Sequence, residues 1–222
     1  METEMRKNYL LNERIFELLE GDITEYDGKA IMVPANIDFS YYGGMMGVLG
    51  AIVRAAGEEP FEEAIVKGKE IAQKNGCTKF NGMKYYGLVK PFEGVVTSGG
   101  NIKDLSLIHI VSKDFEGNRS PTNPNEVQII GDRSYIDDFS IRESVKSALR
   151  LADKSGFDSV GFPLIGTGLY RVPLEISVMN MVEPIYDHLQ GQTGLQRISL
   201  ILYGSNDYTQ AVQNVDRFLG RK

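Results

Sequence analysis

Four short runs of the chain are apolar almost from end to end: KAIMVPAN (29–36), DLSLIHIVSKDF (104–115), DSVGFPLI (158–165) and QRISLILYG (196–204). A strand with one face in a core alternates apolar and polar residues, whereas a short unbroken run closed by Pro, Gly or polar residues has both faces covered. Between these runs the apolar residues recur at helical spacing. Phe61, Ala64, Ile65, Ile71 and Ala72 do so within 58–75, with Gly76 placed as a C′ residue, and Ile141, Val145, Ala148, Leu149 and Ala152 do so after a Ser140/Glu143 capping box. Val178, Met181, Val182, Ile185 and Leu189 form a third stripe, entered at Pro173 and kinked at Pro184, and Tyr208, Val212, Val215, Phe218 and Leu219 a fourth, capped by Ser205 or Asn206. RIFELLE (14–20) and EGVVTSGG (93–100) add strands. Strands buried on both faces and alternating with amphipathic helices predict an α/β fold of three layers, α/β/α, around a central mixed, largely parallel sheet.

With 222 residues the expectation is a single domain spanning 1–222, with one long loop insertion at about 115–139, where turn residues abound and no period is sustained. A loop of that length in a compact domain suggests a lid or a binding edge. A formal charge of −6 argues against a broad basic nucleic-acid surface. One cysteine, Cys77, allows neither an intramolecular disulfide nor a cysteine zinc site, and His109 and His188 stand too far apart for a paired-ligand motif, so no metal and no cofactor are expected. The N-terminal segment is charged throughout and no stretch nears membrane-spanning length, which points to a cytoplasmic protein with no membrane partner.

In sheets of this kind ligands bind beyond the carboxyl ends of the strands. Two glycine-rich segments fall there, YYGGMMGVLGAIVRAAG (41–57) and FPLIGTGLYRVP (162–173). In the second, Gly166 and Gly168 let backbone approach a ligand, Thr167 offers a hydroxyl, and backbone N–H groups near a helix start favour an anion. A tight strand-to-helix turn would use the same glycines. GxG without a third glycine is a weak dinucleotide signal, and no GxxxxGK[ST] phosphate loop is present.

Taken together, GDIT (21–24), AIMVPAN (30–36), GGMMGVLGAIVRAAG (43–57) and GFPLIGTGLYRVP (161–173) resemble, in order and nearly in spacing, the motifs of macro domains, the ADP-ribose-binding family. The resemblance extends over most of the chain from about residue 14. It implies a macro domain fold and ADP-ribose, or a related nucleotide, as ligand. On this resemblance Asp22 accepts a hydrogen bond from the adenine amine with the Ile23 backbone beside it, and Asn36 holds the distal ribose. Gly47, Val48, Leu49 and Gly50 form the first diphosphate loop. Gly166, Thr167, Gly168, Leu169 and Tyr170 form the second, with the Tyr170 ring at the distal ribose.

The pattern also departs from the family. Val33 and Pro34 replace the first asparagine and an alanine of the family's VNAAN motif, and Leu49 stands where the hydrolases most similar to this chain carry a water-positioning aspartate. Leucine accepts no proton, so an acid–base contribution of about 10²–10⁴-fold is missing there. The terminal ADP-ribose glycohydrolase branch resembles IGTGLYRVP more closely, but places its catalytic aspartate where Tyr170 stands, and Arg54 near its lysine cannot act as a nucleophile. Asn36 is left as the candidate catalytic residue, with Asp38, Tyr41, Tyr42, Asp137 and Asp138 as substitute polar groups, while Arg171 could pair with a ligand phosphate or carboxylate. Three readings follow: an ADP-ribose binder with weak ester or phosphate hydrolysis, which could also take ADP-ribosylated protein; a scaffold adapted to another NAD-derived or cyclic nucleotide; and a non-enzymatic interaction domain.

Overall fold

The computed structural model describes residues 5–36, 39, 47–75, 78–80, 83–85, 89–112, 119–120, 123–127, 136–168 and 170–221. Its centre is a seven-stranded sheet built from β1 (Arg6–Leu11), β2 (Arg14–Glu20), β3 (Ala30–Ala35), β6 (Gly94–Ser98), β7 (Ser106–Val111), β10 (Ser159–Pro163) and β11 (Arg197–Leu202). The order is β1-β2-β11-β10-β3-β7-β6. The four inner pairings, from β2 through β7, are parallel, and the two outer pairings, β1 with β2 and β6 with β7, are antiparallel. The sheet is therefore mixed and largely parallel, as the unbroken apolar runs predicted.

The helices α1 (Gly47–Ala56), α2 (Glu59–Asn75), α3 (Asp138–Lys154), α4 (Leu174–Gln190) and α5 (Ser205–Phe218) cover it. One core layer joins the α3 and α4 stripes, from Ile141 and Val145 to Met181 and Ile185, with one face of the sheet at Met32, Ile108, Val160 and Leu200. On the opposite face Ile31, Val33 and Leu107 pack with Ile52 and Ala56 of α1. Successive residues of β3 thus serve different layers, which is why that strand carries no polar alternation.

Several local features differ from the sequence expectation. RKNYLL forms β1, an edge strand overlooked because only Tyr9 and Leu11 of its six residues are buried. RIFELLE does not alternate: Phe16, Glu17, Leu18 and Leu19 are all buried, the carboxylate included. The cap of α3 is Asp137, whose carboxylate accepts from Ser140 N at 2.8 Å, so the Ser140/Glu143 box is not used and Ser140 is buried in the first turn. An acceptor at Asp137 satisfies one of the orphan N–H groups at the helix start. Asp137→Ala should lower the unfolding free energy by ~1 kcal/mol in urea denaturation. Glu143→Ala should cost less, because Glu143 makes only a surface pair with Lys146, at 2.8 Å. Neither Ser205 nor Asn206 caps α5; Gly204 precedes it at φ 109 and Ser205 is its first residue.

The 115–139 segment is not loop throughout: β8 (Arg119–Ser120) and β9 (Asn123–Val127) pair antiparallel within it, and α3 begins before its end. β4 (Thr78–Phe80) and β5 (Met83–Tyr85) make a second small hairpin. Pro173 does lead into α4 and Pro184 lies inside it, while Gly76 and Cys77 fall outside the described residues. Among the described residues no helix is long and apolar enough to cross a membrane.

Candidate functional site

The parallel core puts the ends of β2, β11, β10 and β3 side by side on one edge of the molecule. Gly21 N extends the β2–β11 ladder, donating to Leu202 O at 3.0 Å, so the residues that follow, Asp22 and Tyr203, leave the sheet as neighbours. Asp22 caps a single 3-10 turn, Ile23–Glu25, and its Oδ1 accepts from Thr24 N at 2.9 Å and from the Thr24 hydroxyl at 2.8 Å. Asp22 itself is exposed. Two local donors on one oxygen hold the carboxylate in place, and an ionised carboxylate has acceptor capacity beyond those two bonds.

The turn is held from beneath. Tyr26, which closes it, is buried where Gly28 and Gly161 leave room for its ring. Its hydroxyl lies 2.9 Å from that of Ser199, which in turn donates to the buried Glu17. Burial pushes the Tyr26 phenol up to about 12. Arg197 covers the Tyr26 ring at 5.2 Å and pairs with Asp27 at 2.8 Å, while Arg6 and Arg197 flank Glu17 at 3.4 and 3.8 Å. Glu17 is 1% exposed, and two cations with a hydroxyl donor offset its desolvation.

Facing this turn, α1 presents Gly47, Val48, Ala51 and Arg54 along one side. With Gly21, Asp22, Ile23, Ile201 and Tyr203 they line a cleft of about 430 Å³, within the range of small-molecule sites. Tyr203 is 86% exposed, an open aromatic face at the rim. Gly47 to Gly50 make the first turn of α1 rather than a loop, with Gly47 at φ 64. The N–H groups of that first turn have no acceptor within the helix itself, and with the helix dipole they favour an anion, the property the sequence suggested for a loop.

The second glycine segment leaves β10, between β11 and β3. It is tied to α4: Ser177 donates its hydroxyl to Ile165 O at 2.7 Å, and Ile165 N lies 3.4 Å from Met181 Sδ. Gly166 adopts φ 89 and its carbonyl accepts from Val172 N at 3.0 Å. Gly168 stands exposed beyond that closure with the half-buried Thr167 beside it, and among the described residues no atom beyond its chain neighbours lies within 4 Å of where a Gly168 side chain would begin. Arg171 sits at φ 53, a region L residues rarely adopt. Asn36 is exposed at the end of β3, and its carbonyl accepts from Phe39 N at 3.0 Å.

Asp22, Ile23, Gly47 and Val48 therefore share one cleft. Gly166, Thr167, Gly168 and Tyr170 lie at the same edge of the sheet two strands away from Asp22, and Asn36 one strand further. Leu49 turns toward the core shared with Ile31 and Ile52 instead of lining the cleft. Leu169, Asp38, Tyr41 and Tyr42 lie outside the described residues. Of the substitute polar groups, Asp137 is engaged as the α3 cap and Asp138 is exposed beside it. The sequence reading missed Tyr203, Ala51 and Ile201 as lining residues; the i, i+3 spacing of Val48, Ala51 and Arg54 on one helix face was the available signal for the α1 wall.

Neither histidine is at this edge. His109 is fully buried on β7, its Nε2 2.9 Å from Thr97 Oγ1, and His188 pairs with Asp153 at 2.9 Å near the C-terminus of α4. Among the described residues no group of three or more His, Cys, Asp and Glu could hold a metal ion. Among the described residues, the ionisable side chains on the cleft wall are Asp22, Arg54 and Tyr203, a set suited to recognition.

The macro domain model matches residues 34–181, and the chain belongs to that family. An uncharacterized Pyrobaculum aerophilum protein is 30% identical over 196 residues, 88% of each chain. An O-acetyl-ADP-ribose deacetylase of Cronobacter turicensis is 27% identical over 192 residues, 86% of this chain and 90% of that one. Among solved structures, the Oceanobacillus iheyensis macrodomain with MES bound superposes with a TM-score of 0.75 at 22% identity, covering 98% of this chain and 99% of that one. A structure of the same macrodomain with ADPR gives 0.74.

Proposed function

We propose that this chain binds ADP-ribose, or a derivative carrying it, along the carboxyl edge of the sheet. Adenine occupies the cleft between Asp22 and Tyr203, the diphosphate lies between the α1 N-terminus and the Gly166–Gly168 backbone, and the distal ribose reaches toward Asn36 and Tyr170. The observation that carries this reading is the Asp22 carboxylate, held by two Thr24 donors, in one cleft with an open aromatic ring and a helix N-terminus. A lone acceptor beside a stacking surface favours a base with an exocyclic amine, and the helix N-terminus favours a phosphate next to it.

Span supports a two-ribose ligand. From β2 to β3 there are three strand spacings, about 14 Å, which a mononucleotide anchored at Asp22 does not bridge. Membership of the macro domain family and the likeness to an O-acetyl-ADP-ribose deacetylase favour the same ligand class. ADP-ribose esters and ADP-ribosylated side chains share the adenosine diphosphate and come under the same reading. Binding is the activity the cleft supports, with Asp22, the α1 N-terminus and Tyr203 as its recognition groups.

Calorimetric titration tests it. ADP-ribose should bind with a measurable heat, and Asp22→Ala and Tyr203→Ala should each weaken it by roughly tenfold to a hundredfold, from loss of one hydrogen bond to a charged group or one base stack of ~1–3 kcal/mol. Absence of heat and of any thermal shift at millimolar ADP-ribose would overturn the reading.

A further inference from the structure

Just beyond β3 one aromatic residue is held in a backbone conformation that its side chain disfavours. Phe39 sits at φ 52, in the left-handed region where a bulky L residue is an outlier and persists only if its surroundings hold it. Its N–H donates to the carbonyl of Asn36 at 3.0 Å, and its side chain is inaccessible to water. Asn36 itself is exposed at the carboxyl edge.

What holds Phe39 is a slot in the core. The ring belongs to a cluster with Ala35, Ala64, Val95 and Val111 and meets the His109 ring at 84°, centroids 6.3 Å apart. Against α2 it lies over Gly68, where a Cβ would overlap Phe39 Cδ2 and stand 2.8 Å from Cε2. Glycine in a helix interior is unfavourable relative to alanine. Gly68 nevertheless falls within the buried stripe of α2, four residues after Ala64 and four before Ala72, and the ring fills the space it leaves. Asn36 is thus pinned from two sides, by the β3–β7 ladder at Ala35 and Val111 and by the backbone bond from the anchored Phe39.

We infer that Phe39, seated over Gly68, is a positioning residue that holds the Asn36 end of the site in register and so sets its preference for ADP-ribose over ADP. This rests on the ADP-ribose reading above. Hydroxyl recognition requires donor and acceptor within a few tenths of an ångström of hydrogen-bond distance, which an unanchored chain end does not supply. Adenine and diphosphate are read by Asp22, Tyr203 and the α1 N-terminus, on other elements.

Calorimetry on the full chain compares ADP-ribose with ADP, which lacks the distal ribose. The wild-type chain should bind ADP-ribose several-fold to about tenfold more tightly, the worth of one or two hydrogen bonds. Gly68→Ala, whose methyl displaces the ring, should bring that ratio toward one and leave ADP affinity unchanged. Phe39→Leu keeps an apolar occupant of the slot and leaves α2 intact, so it folds, and it should lower the ratio part-way. General destabilisation weakens both ligands alike and does not move the ratio. A wild-type ratio of one or less, or the wild-type ratio retained in either folded variant, overturns the inference while ADP-ribose binding stands. Failure of both ligands to bind the wild-type chain overturns the ADP-ribose reading and this inference with it.

Discussion

Replacing Gly166 with alanine should destabilise the protein by about 2–5 kcal/mol and abolish the loop's geometry, whereas the same change at Gly168 should leave the fold intact. At Gly166 two costs coincide. Its φ of 89 lies in the region where an L residue is strained by ~1–2 kcal/mol. A Cβ built there meets Val172 Cγ2 at 2.8 Å and Ile136 Cγ2 at 3.0 Å, and both partners are held, Val172 by its own N–H bond to Gly166 O and Ile136 by the main core. Forcing a methyl into such a contact adds ~1–3 kcal/mol. For a chain of this length each kcal/mol moves the melting temperature by roughly 2–4 °C, so a fall on the order of 10 °C is expected. Gly168 has nothing within 4 Å of a Cβ and no positive φ. Gly168→Ala should therefore keep the wild-type melting temperature and, where backbone approach to the diphosphate matters, lose affinity alone. Differential scanning fluorimetry paired with ADP-ribose titration separates the two. Equal melting temperatures for both variants would show that the 166–172 closure does not hold the loop.

This contrast also marks how far sequence reasoning reaches. IGTGLYRVP presents two glycines as equals, and only the fold separates Gly166, which closes the loop, from Gly168, which stands exposed. The buried strands β3, β7, β10 and β11 were legible because a sheet covered on both faces leaves no polar alternation. β1 was not, since an edge strand with half its residues in water resembles a charged tail. GVLG read as a loop because glycine is the usual turn residue, yet Gly47 takes the left-handed entry and the other three continue as helix. Asp22, which its motif singled out, does line the cleft. Tyr203 could not be singled out, because an aromatic after a terminal strand reads as surface until the β2–β11 pairing brings it beside a residue 181 positions earlier in the chain. The α3 cap was misplaced by three residues for a related reason: Asp137, Ser140 and Glu143 are all good terminus residues, and burial of Ser140 under the core decides between them.

Lowering the pH from 7 toward 4 should remove several kcal/mol of stability through one residue, His109. Its ring is inaccessible to water, its Nε2 meets Thr97 Oγ1, and Phe39 and Phe61 approach it edge-on at 6.3 and 5.5 Å. Because the Thr97 hydroxyl donates to Ser98 O at 3.0 Å, the natural arrangement has Nε2–H donating to Thr97. Burial, reinforced by the Lys67 charge, pushes the imidazole down to about 3 from its ordinary 6.5. The folded chain keeps this group neutral where the unfolded chain protonates it, so the unfolded state binds the extra proton. Stability is fully present above pH 6.5 and falls as the pH drops toward 3, by about 1.4 kcal/mol per unit. At pH 5 the loss from this site is about 2 kcal/mol. His109→Gln retains an amide donor for Thr97 and has no proton to gain. Urea denaturation of both proteins across pH 7 to 4 isolates the site, because every other titrating group is common to them. The variant's stability should fall less steeply by that slope whatever its value at pH 7, and parallel curves would mean that the His109 ring is protonated or hydrated in the native state.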